Sequence, residues 1–363
     1  MLSLEKALKK SSPGILLSRP DRIGDVVLST PAMVAVKKKF PKSRLTVIVR
    51  PELVDIIGGL SEVNEVISFA PDIHQSWLGV RDLVDQIRNA RIDIGIALQS
   101  NYYIALALFL ARVPVRIGPL SKPHSWVLYN NGIRQKRSEV KLHEADYNLQ
   151  LLEPLEILEV EQGLSTCVSI SSGASKTAEE WLTRSGRTAG KKIVGVHPGM
   201  GGSALNWPEK TWIELVSQLL KSGLEVVLST GPAETELRQR MRSGLGKRQG
   251  LYFYGSEETH SLDAFGGLIQ NLDLFVAPST GPLHLAVAIG KPVLSIYPPV
   301  RVQSKKRWGP YGTKEGMARV MTPSVPCPAE KKCLEEGCPL YNCMERLSVE
   351  EAVKWIREKL GTT

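Results

Sequence analysis

Leu272-Asp273-Leu274-Phe275-Val276-Ala277-Pro278-Ser279-Thr280-Gly281-Pro282-Leu283-His284-Leu285-Ala286 carries the chain out of a strand and into a helix through a short polar turn. Leu272 to Val276 reads as a strand for a sheet interior, and Leu283 to Ile289 is apolar enough for a packed helix. Ser279 or Thr280 can cap that helix, and Pro282 suits its first turn, where a missing N–H costs little. The open N–H groups and the positive dipole end would then face the turn, where a diphosphate can sit. Taken alone, the stretch reads equally well as a well-capped helix. A strand feeding a helix in this way is the building unit of a parallel, helix-covered sheet, so the same grammar is expected elsewhere in the chain.

It recurs on both sides. Gly14 to Ser18 reads as a strand, Arg19 to Asp25 as a polar turn, Val26 to Phe40 as a helix and Leu45 to Val49 as the next strand. Glu65 to Phe69, Asp82 to Ala90, Asp93 to Leu98, Tyr102 to Ala111 and Val115 to Ile117 continue the alternation up to a helical segment at Glu144 to Leu158. After a polar bridge holding one helix near Thr177 to Ser185, the pattern restarts with Ile193 to His197, Pro208 to Lys221 and Leu224 to Ser229. Asp263 to Gln270, Leu272 to Val276 and Pro292 to Ile296 follow. The expected fold is α/β, two Rossmann-like domains facing one another across a cleft, sharing wiring without a visible sequence repeat. The expected divisions are 1–175, 176–346 with a Cys-rich tail, and a helix at 347–363. Ligands of such sheets sit beyond the carboxyl ends of the strands, so the loops there carry the functional weight.

The chain has 363 residues and a formal net charge of +9. No run approaches the ~20 apolar residues of a membrane span, and Met1 to Ser12 lacks the apolar core of a secretory signal. A cytoplasmic location is expected, with peripheral contact at the inner membrane face. Small basic groups such as Lys37 to Lys39 and Lys305 to Arg307 lack interleaved aromatics, which argues against a nucleic-acid module. Attraction to an anionic membrane surface fits the charge.

Arg19-Pro20-Asp21-Arg22-Ile23-Gly24-Asp25, His197-Pro198-Gly199, Trp207-Pro208, Thr230-Gly231-Pro232-Ala233-Glu234 and Ser279-Thr280-Gly281-Pro282-Leu283-His284 together resemble glycosyltransferase family nine, the heptosyltransferases of lipopolysaccharide assembly. The resemblance runs from about Ile15 to the last helix. It implies a GT-B fold and an inverting, metal-independent transferase with no required cofactor. The implied donor is a nucleotide sugar, ADP-heptose in the best-known members, held mainly by the C-terminal domain. A lipid-linked glycan acceptor would be held mainly by the N-terminal one. Leu205 departs from the resemblance, since many relatives carry Lys there.

Inverting transfer needs a base to take the acceptor's hydroxyl proton. Asp25 matches the family's base position, whereas an Asp before a helix is by itself an N-cap. The departing diphosphate needs N–H donors and cations. Ser279, Thr280, Gly281 and Pro282 form one candidate cradle, and Gly201, Gly202 and Ser203 a second that reads equally as a tight turn. Glu234, beside Gly231, matches the family's nucleoside contact, because a carboxylate accepts from both ribose hydroxyls. His284 either donates to phosphate or fills the core. Arg19, Arg22, His197 and Trp308 are cleft candidates; the Trp308 turn serves as a sugar platform or as an anchor of its loop.

Cys327, Cys333, Cys338 and Cys343 cluster in a way that admits a structural zinc, though their spacing lacks paired C-x-x-C motifs. Val349 to Leu360 has a stripe at Val349, Val353, Ile356 and Leu360, and GT-B resemblance sends it back to the N-terminal domain. A sugar-nucleotide epimerase or hydrolase and a binding-only paralogue or sensor are the alternatives to a transferase.

Overall fold

The computed structural model describes residues 4–157, 163–202, 204–255 and 261–362. The chain divides into two compact units, residues 1–137 with 141–169, and residues 138–140 with 170–363.

The first unit is a six-stranded sheet of β1 (Gly14–Ser18), β2 (Arg44–Val49), β3 (Glu65–Ser68), β4 (Ile94–Ala97), β5 (Val115–Pro119) and β6 (Asn131–Ile133). Its order is β3-β2-β1-β4-β5-β6, and every pairing is parallel. Residues of β1 and β4 are buried throughout, which is why these strands read as unbroken apolar runs rather than as alternation. The expected helix from Val26 to Phe40 is two helices, Ile23–Val27 and Thr30–Lys39, with Pro31 in the first turn of the second. A proline ring inside one continuous helix would clash with the carbonyl four residues earlier, so the chain breaks just before it.

The second unit repeats the plan with β7 (Ile193–Val196), β8 (Glu225–Ser229), β9 (Leu251–Tyr254), β10 (Leu274–Pro278), β11 (Val293–Ile296) and β12 (Ala318–Met321). Its parallel order is β12-β11-β10-β7-β8-β9. Numbered from its own first strand, that is the 3-2-1-4-5-6 order of the first unit, the Rossmann arrangement. The sequence reading lacked β6, β9 and β12, all of them short and all at or next to a sheet edge, where half-exposed residues blur the apolar signal.

The helix Val349–Leu360 forms where expected, capped by Ser348, whose hydroxyl accepts from the Glu351 N–H at 3.1 Å. Its buried stripe, Val349, Ala352, Val353 and Ile356, lies in the second unit's core with Trp212, Leu215 and Leu219 of the helix Glu209–Lys221. The expectation that this stripe packs on the N-terminal domain is therefore corrected. Burial of each Val or Ile there contributes about 1.5–3 kcal/mol. The unit boundary near Ser169 likewise falls short of the expected 175, because the helix Ser172–Arg184 packs against Leu262–Gln270.

Candidate functional site

In each sheet the order reverses beside the first strand, between β1 and β4 and between β7 and β10, leaving a crevice at the carboxyl end. Arg19 follows β1 directly, and its N–H donates to the Ile48 carbonyl at 2.9 Å. Its guanidinium is 4% exposed and gathers three carboxylates. Nη2 donates to Asp25 Oδ1 at 2.6 Å and to Glu144 Oε1 at 3.1 Å, and Nε lies 2.9 Å from Asp21 Oδ2. Nη1 donates to the Leu98 carbonyl at 3.1 Å and to Asn148 Oδ1 at 3.0 Å. A second guanidinium, Arg137, also donates to Glu144 and to the Leu98 carbonyl.

Burial alone would lower the pKa of Arg19, yet Asp25, Glu144 and Asp21 together push it upward, so the charge is permanent. Burial pushes the Asp21 carboxyl above its usual range; Arg19 opposes this, Asp25 reinforces it, Arg50 opposes it and Glu144 reinforces it.

Asp25 does not cap its helix. Arg22 holds the N-cap position without a side-chain bond, and Asp25 sits in the first turn facing Arg19. Among the described residues Asp25 Oδ2 makes no hydrogen bond, and the side chain is 22% exposed. The arrangement is a carboxylate with one oxygen fixed by a guanidinium and the other open. Arg22 itself is exposed, outside this cluster.

Glu144 and Asn148 come from the helix Glu144–Gln150, capped by His143, whose ring accepts from the Ala145 N–H at 3.1 Å. Sequence reasoning placed this helix but gave Glu144, Asn148 and Arg137 no role. The available signal was an acid and an amide four residues apart, on one helix face.

In the second unit His197 follows β7 and its N–H donates to Val276 of β10 at 2.9 Å. The buried ring shares a hydrogen bond between Nδ1 and Ser229 Oγ at 3.0 Å, and its Nε2 lies 3.8 Å from Glu234 Oε2. Burial lowers the His197 pKa, with Glu234 opposing. Glu234 Oε2 accepts from the Gly231 N–H at 2.7 Å. Gly199 allows this carboxylate to come close: a Cβ there would lie 1.9 Å from Glu234 Oε2. His197, Gly199, Gly231 and Glu234 are thus one cluster, joining the loops after β7 and β8.

The turn after β10 forms as the sequence suggests, with one difference. Thr280 is the N-cap of the helix Gly281–Ile289 by backbone conformation, but its hydroxyl makes no capping bond. Pro282 occupies the first turn, so the helix start keeps open donors at a positive dipole end. Ser279 is tied down: its N–H donates to the Ile296 carbonyl at 3.1 Å, and its hydroxyl hydrogen-bonds Tyr297. The Tyr297 hydroxyl also donates to the Trp308 carbonyl, and the Trp308 indole N–H donates to the Val302 carbonyl at 2.9 Å. Trp308 therefore anchors its loop beneath the Ser279 turn. His284 is 4% exposed, within the packed helix.

Gly201 and Gly202 have φ of +57° and +70°, left-handed backbone that glycine adopts without strain. Ser203, the third member expected in that loop, lies outside the described residues. Leu205 packs against the second unit's core, which accounts for an apolar residue at this position.

Leu205 also lines a cavity of about 560 Å³ with Cys327, Cys333, Cys338 and Cys343. All four thiols are free, and burial, together with the other three cysteines, pushes the Cys343 thiol upward. Among the described residues no group of three or more His, Cys, Asp or Glu is arranged to hold a metal ion. Nor, among them, is any helix long and apolar enough to cross a membrane.

The chain is 29% identical over 304 residues, 82% of its length and 85% of the relative's, to a Haemophilus influenzae protein provisionally described as a glycosyltransferase. Its fold is similar to that of a glycosyl transferase family 9 protein from Veillonella parvula, with TM-score 0.84 at 21% identity, covering 97% of this chain and 98% of that one. It is also similar to the ADP-heptose lps heptosyltransferase II of Escherichia coli, with TM-score 0.76 at 21% identity, covering 96% and 98%. Residues 80–338, well over half the chain, match the family model of Glycosyltransferase family 9 (heptosyltransferase), and the chain belongs to that family.

Proposed function

We propose that this transferase moves a heptose from ADP-heptose, or a closely related nucleotide sugar, to a lipopolysaccharide-core or other lipid-linked glycan acceptor, with inversion at the anomeric carbon. The observation that carries the reading is Asp25: a carboxylate whose Oδ1 is fixed by Arg19 at 2.6 Å and whose Oδ2 is open. In the transfer step Oδ2 takes the proton of an acceptor hydroxyl while that oxygen bonds to the anomeric carbon. The bond from this carbon to the diphosphate breaks on the opposite face, and the nucleotide departs with the electron pair. Arg19 orients the base, and Glu144, Asn148 and Arg137 hold Arg19 in place.

The second unit supplies the donor's seat. The N–H groups at Thr280 and Gly281 are suited to a diphosphate because they are pre-oriented and need no reorganisation as charge develops. Gly201 and Gly202 are a further cradle. Glu234, with one oxygen already held by Gly231, is suited to accept from ribose hydroxyls. Two relatives support the choice of sugar: an Escherichia coli lipopolysaccharide heptosyltransferase 2 is 24% identical over 293 residues, and the Escherichia coli protein of similar fold is an ADP-heptose lps heptosyltransferase II.

The test is to incubate the purified chain with ADP-heptose and a heptose-deficient core glycolipid and to weigh the product. A mass gain of one heptose with release of ADP is expected. Release of ADP or free sugar without acceptor would instead favour a hydrolase, and donor binding without any product a sensor.

A further inference from the structure

From Ile94 to Ser138 the chain has no Asp or Glu, yet it carries Arg112, Arg116, Lys122, Arg134, Lys136 and Arg137. This run covers β4, β5, β6 and their connections, the outer half of the first sheet. Large apolar side chains stand exposed on the same part of the molecule: Trp126 at 53% and Val127 at 74%, with Tyr102 at 47%. On a neighbouring helix, Trp77–Asn89, Trp77 is 69% and Leu78 75% exposed.

Topology puts these residues on one rim. Trp77 and Leu78 begin the helix leading from β3 to β4, Tyr102 begins the helix after β4, and Trp126 and Val127 lie in the short helix Ser125–Leu128 after β5. In a parallel sheet each of these starts lies at the carboxyl end of the strands. The first two helices share one core, with Val80, Leu83 and Val84 packed among Ile104, Ala107 and Leu108. The third abuts the second: Tyr102 meets the His124 ring edge-on at 5.5 Å, and Ser100 Oγ and Ser125 Oγ are 3.0 Å apart. Neither Trp77 nor Leu78 belongs to the buried stripe of its helix, which runs through Val80, Leu83, Val84 and Ile87.

Cations border the apolar groups. The Arg134 guanidinium lies over the Trp126 ring at 4.8 Å, and Lys122 is exposed one turn away. The acids of the neighbouring helix are engaged locally. Asp82 accepts from Gln86 at 2.8 Å and lies 3.6 Å from His74, and Asp85 lies 3.8 Å from Arg88.

We infer that this rim docks the first unit on an anionic phospholipid bilayer, with Trp77, Leu78, Trp126 and Val127 entering the headgroup region and Lys122 and Arg134 facing lipid phosphates. Tryptophan beside a basic residue suits that region, where the ring is half in hydrocarbon and the cation meets negative surface potential. The inference extends the reading of a lipid-linked acceptor, because the Asp25 turn lies at the carboxyl end of the same sheet.

The experiment is flotation of the full chain with vesicles of phosphatidylglycerol and phosphatidylethanolamine, or of phosphatidylcholine alone, without donor or acceptor. Binding to the anionic vesicles only is expected, weakening with salt. The combined variant Trp77→Ser, Leu78→Ser, Trp126→Ser, Val127→Ser should bind about tenfold or more weakly with an unchanged thermal midpoint. The pair Lys122→Glu, Arg134→Glu, which leaves the apolar groups in place, should lose binding and its salt dependence together. Equal vesicle binding by wild type and both variants, or no binding by wild type, overturns the inference. So does a wild-type dimer that the apolar variant dissociates without any effect on vesicles, which would make the rim an interface between copies. Because no sugar is present, failure here leaves the proposed transfer intact; conversely, vesicle binding without transfer to any acceptor counts against the proposed function alone.

Discussion

Arg19 and His197 hold equivalent places in two sheets of one wiring, each the first residue beyond the first strand, yet their surroundings are opposite in kind. Arg19 is permanently charged and drawn into a cluster of three carboxylates and a second guanidinium. His197 is a buried ring with a lowered pKa, bonded to a hydroxyl and near one carboxylate. The same wiring carries a dense array of opposite charges in one unit and a single carboxylate beside a buried imidazole in the other. A charged array can orient a base, and a wall of small loops and open N–H groups can seat a diphosphate. Fold alone decides neither, because the difference lies in side chains that the shared wiring leaves free to vary.

The contrast can be broken from either side. The largest effect expected is on turnover: Asp25→Asn keeps the shape of the Arg19 contact and removes the proton acceptor, so kcat should fall by about 10²–10⁴-fold. A rate within a few-fold of wild type would remove Asp25 from the chemistry. Next comes Arg19→Met, which takes from the buried Glu144 one of the guanidinium groups that it accepts from. Breaking a buried ion cluster from one side costs about 3–5 kcal/mol, read as a loss of unfolding free energy in urea.

Across the contrast, Gly199→Ala pushes a methyl into the Glu234 carboxylate. The expected cost is about 1–3 kcal/mol, with weaker ADP binding in proportion to how far Glu234 moves. The smallest effect is the acid response of His197. Its folded pKa lies below the ordinary 6.5, so below that pH the unfolded chain takes up a proton that the folded chain resists, and stability falls as pH drops. His197→Gln should flatten the decline in melting temperature between pH 7 and 5. No comparable step is expected from Arg19, whose raised pKa keeps it charged throughout that range.

Much of this was legible in the sequence because it is local. Strands buried on both faces announce themselves as apolar runs, and the turn from Pro278 through Pro282 contains its own helix start. The Arg19 cluster was only half visible. Asp21 and Asp25 stand beside Arg19 in sequence, but Glu144 and Asn148 are 125 and 129 residues away, and no spacing rule links an acid to a distant guanidinium. The helix start beside Asp25 was displaced: the apolar run reads as a helix from Val26 with Asp25 ahead of it, whereas the helix begins at Ile23 and carries Asp25 in its first turn. The last helix shows a different limit, since an amphipathic stripe declares that it will be buried without saying against which surface.

The division of roles between the two crevices is tested most directly by calorimetric titration of ADP into wild type, Asp25→Asn and Glu234→Gln. Wild type and Asp25→Asn should bind ADP with equal affinity, while Glu234→Gln, losing a charged acceptor for ribose hydroxyls, should bind about tenfold more weakly. Affinity lost in Asp25→Asn and kept in Glu234→Gln would contradict the account, placing the nucleotide at the charged array of the first unit.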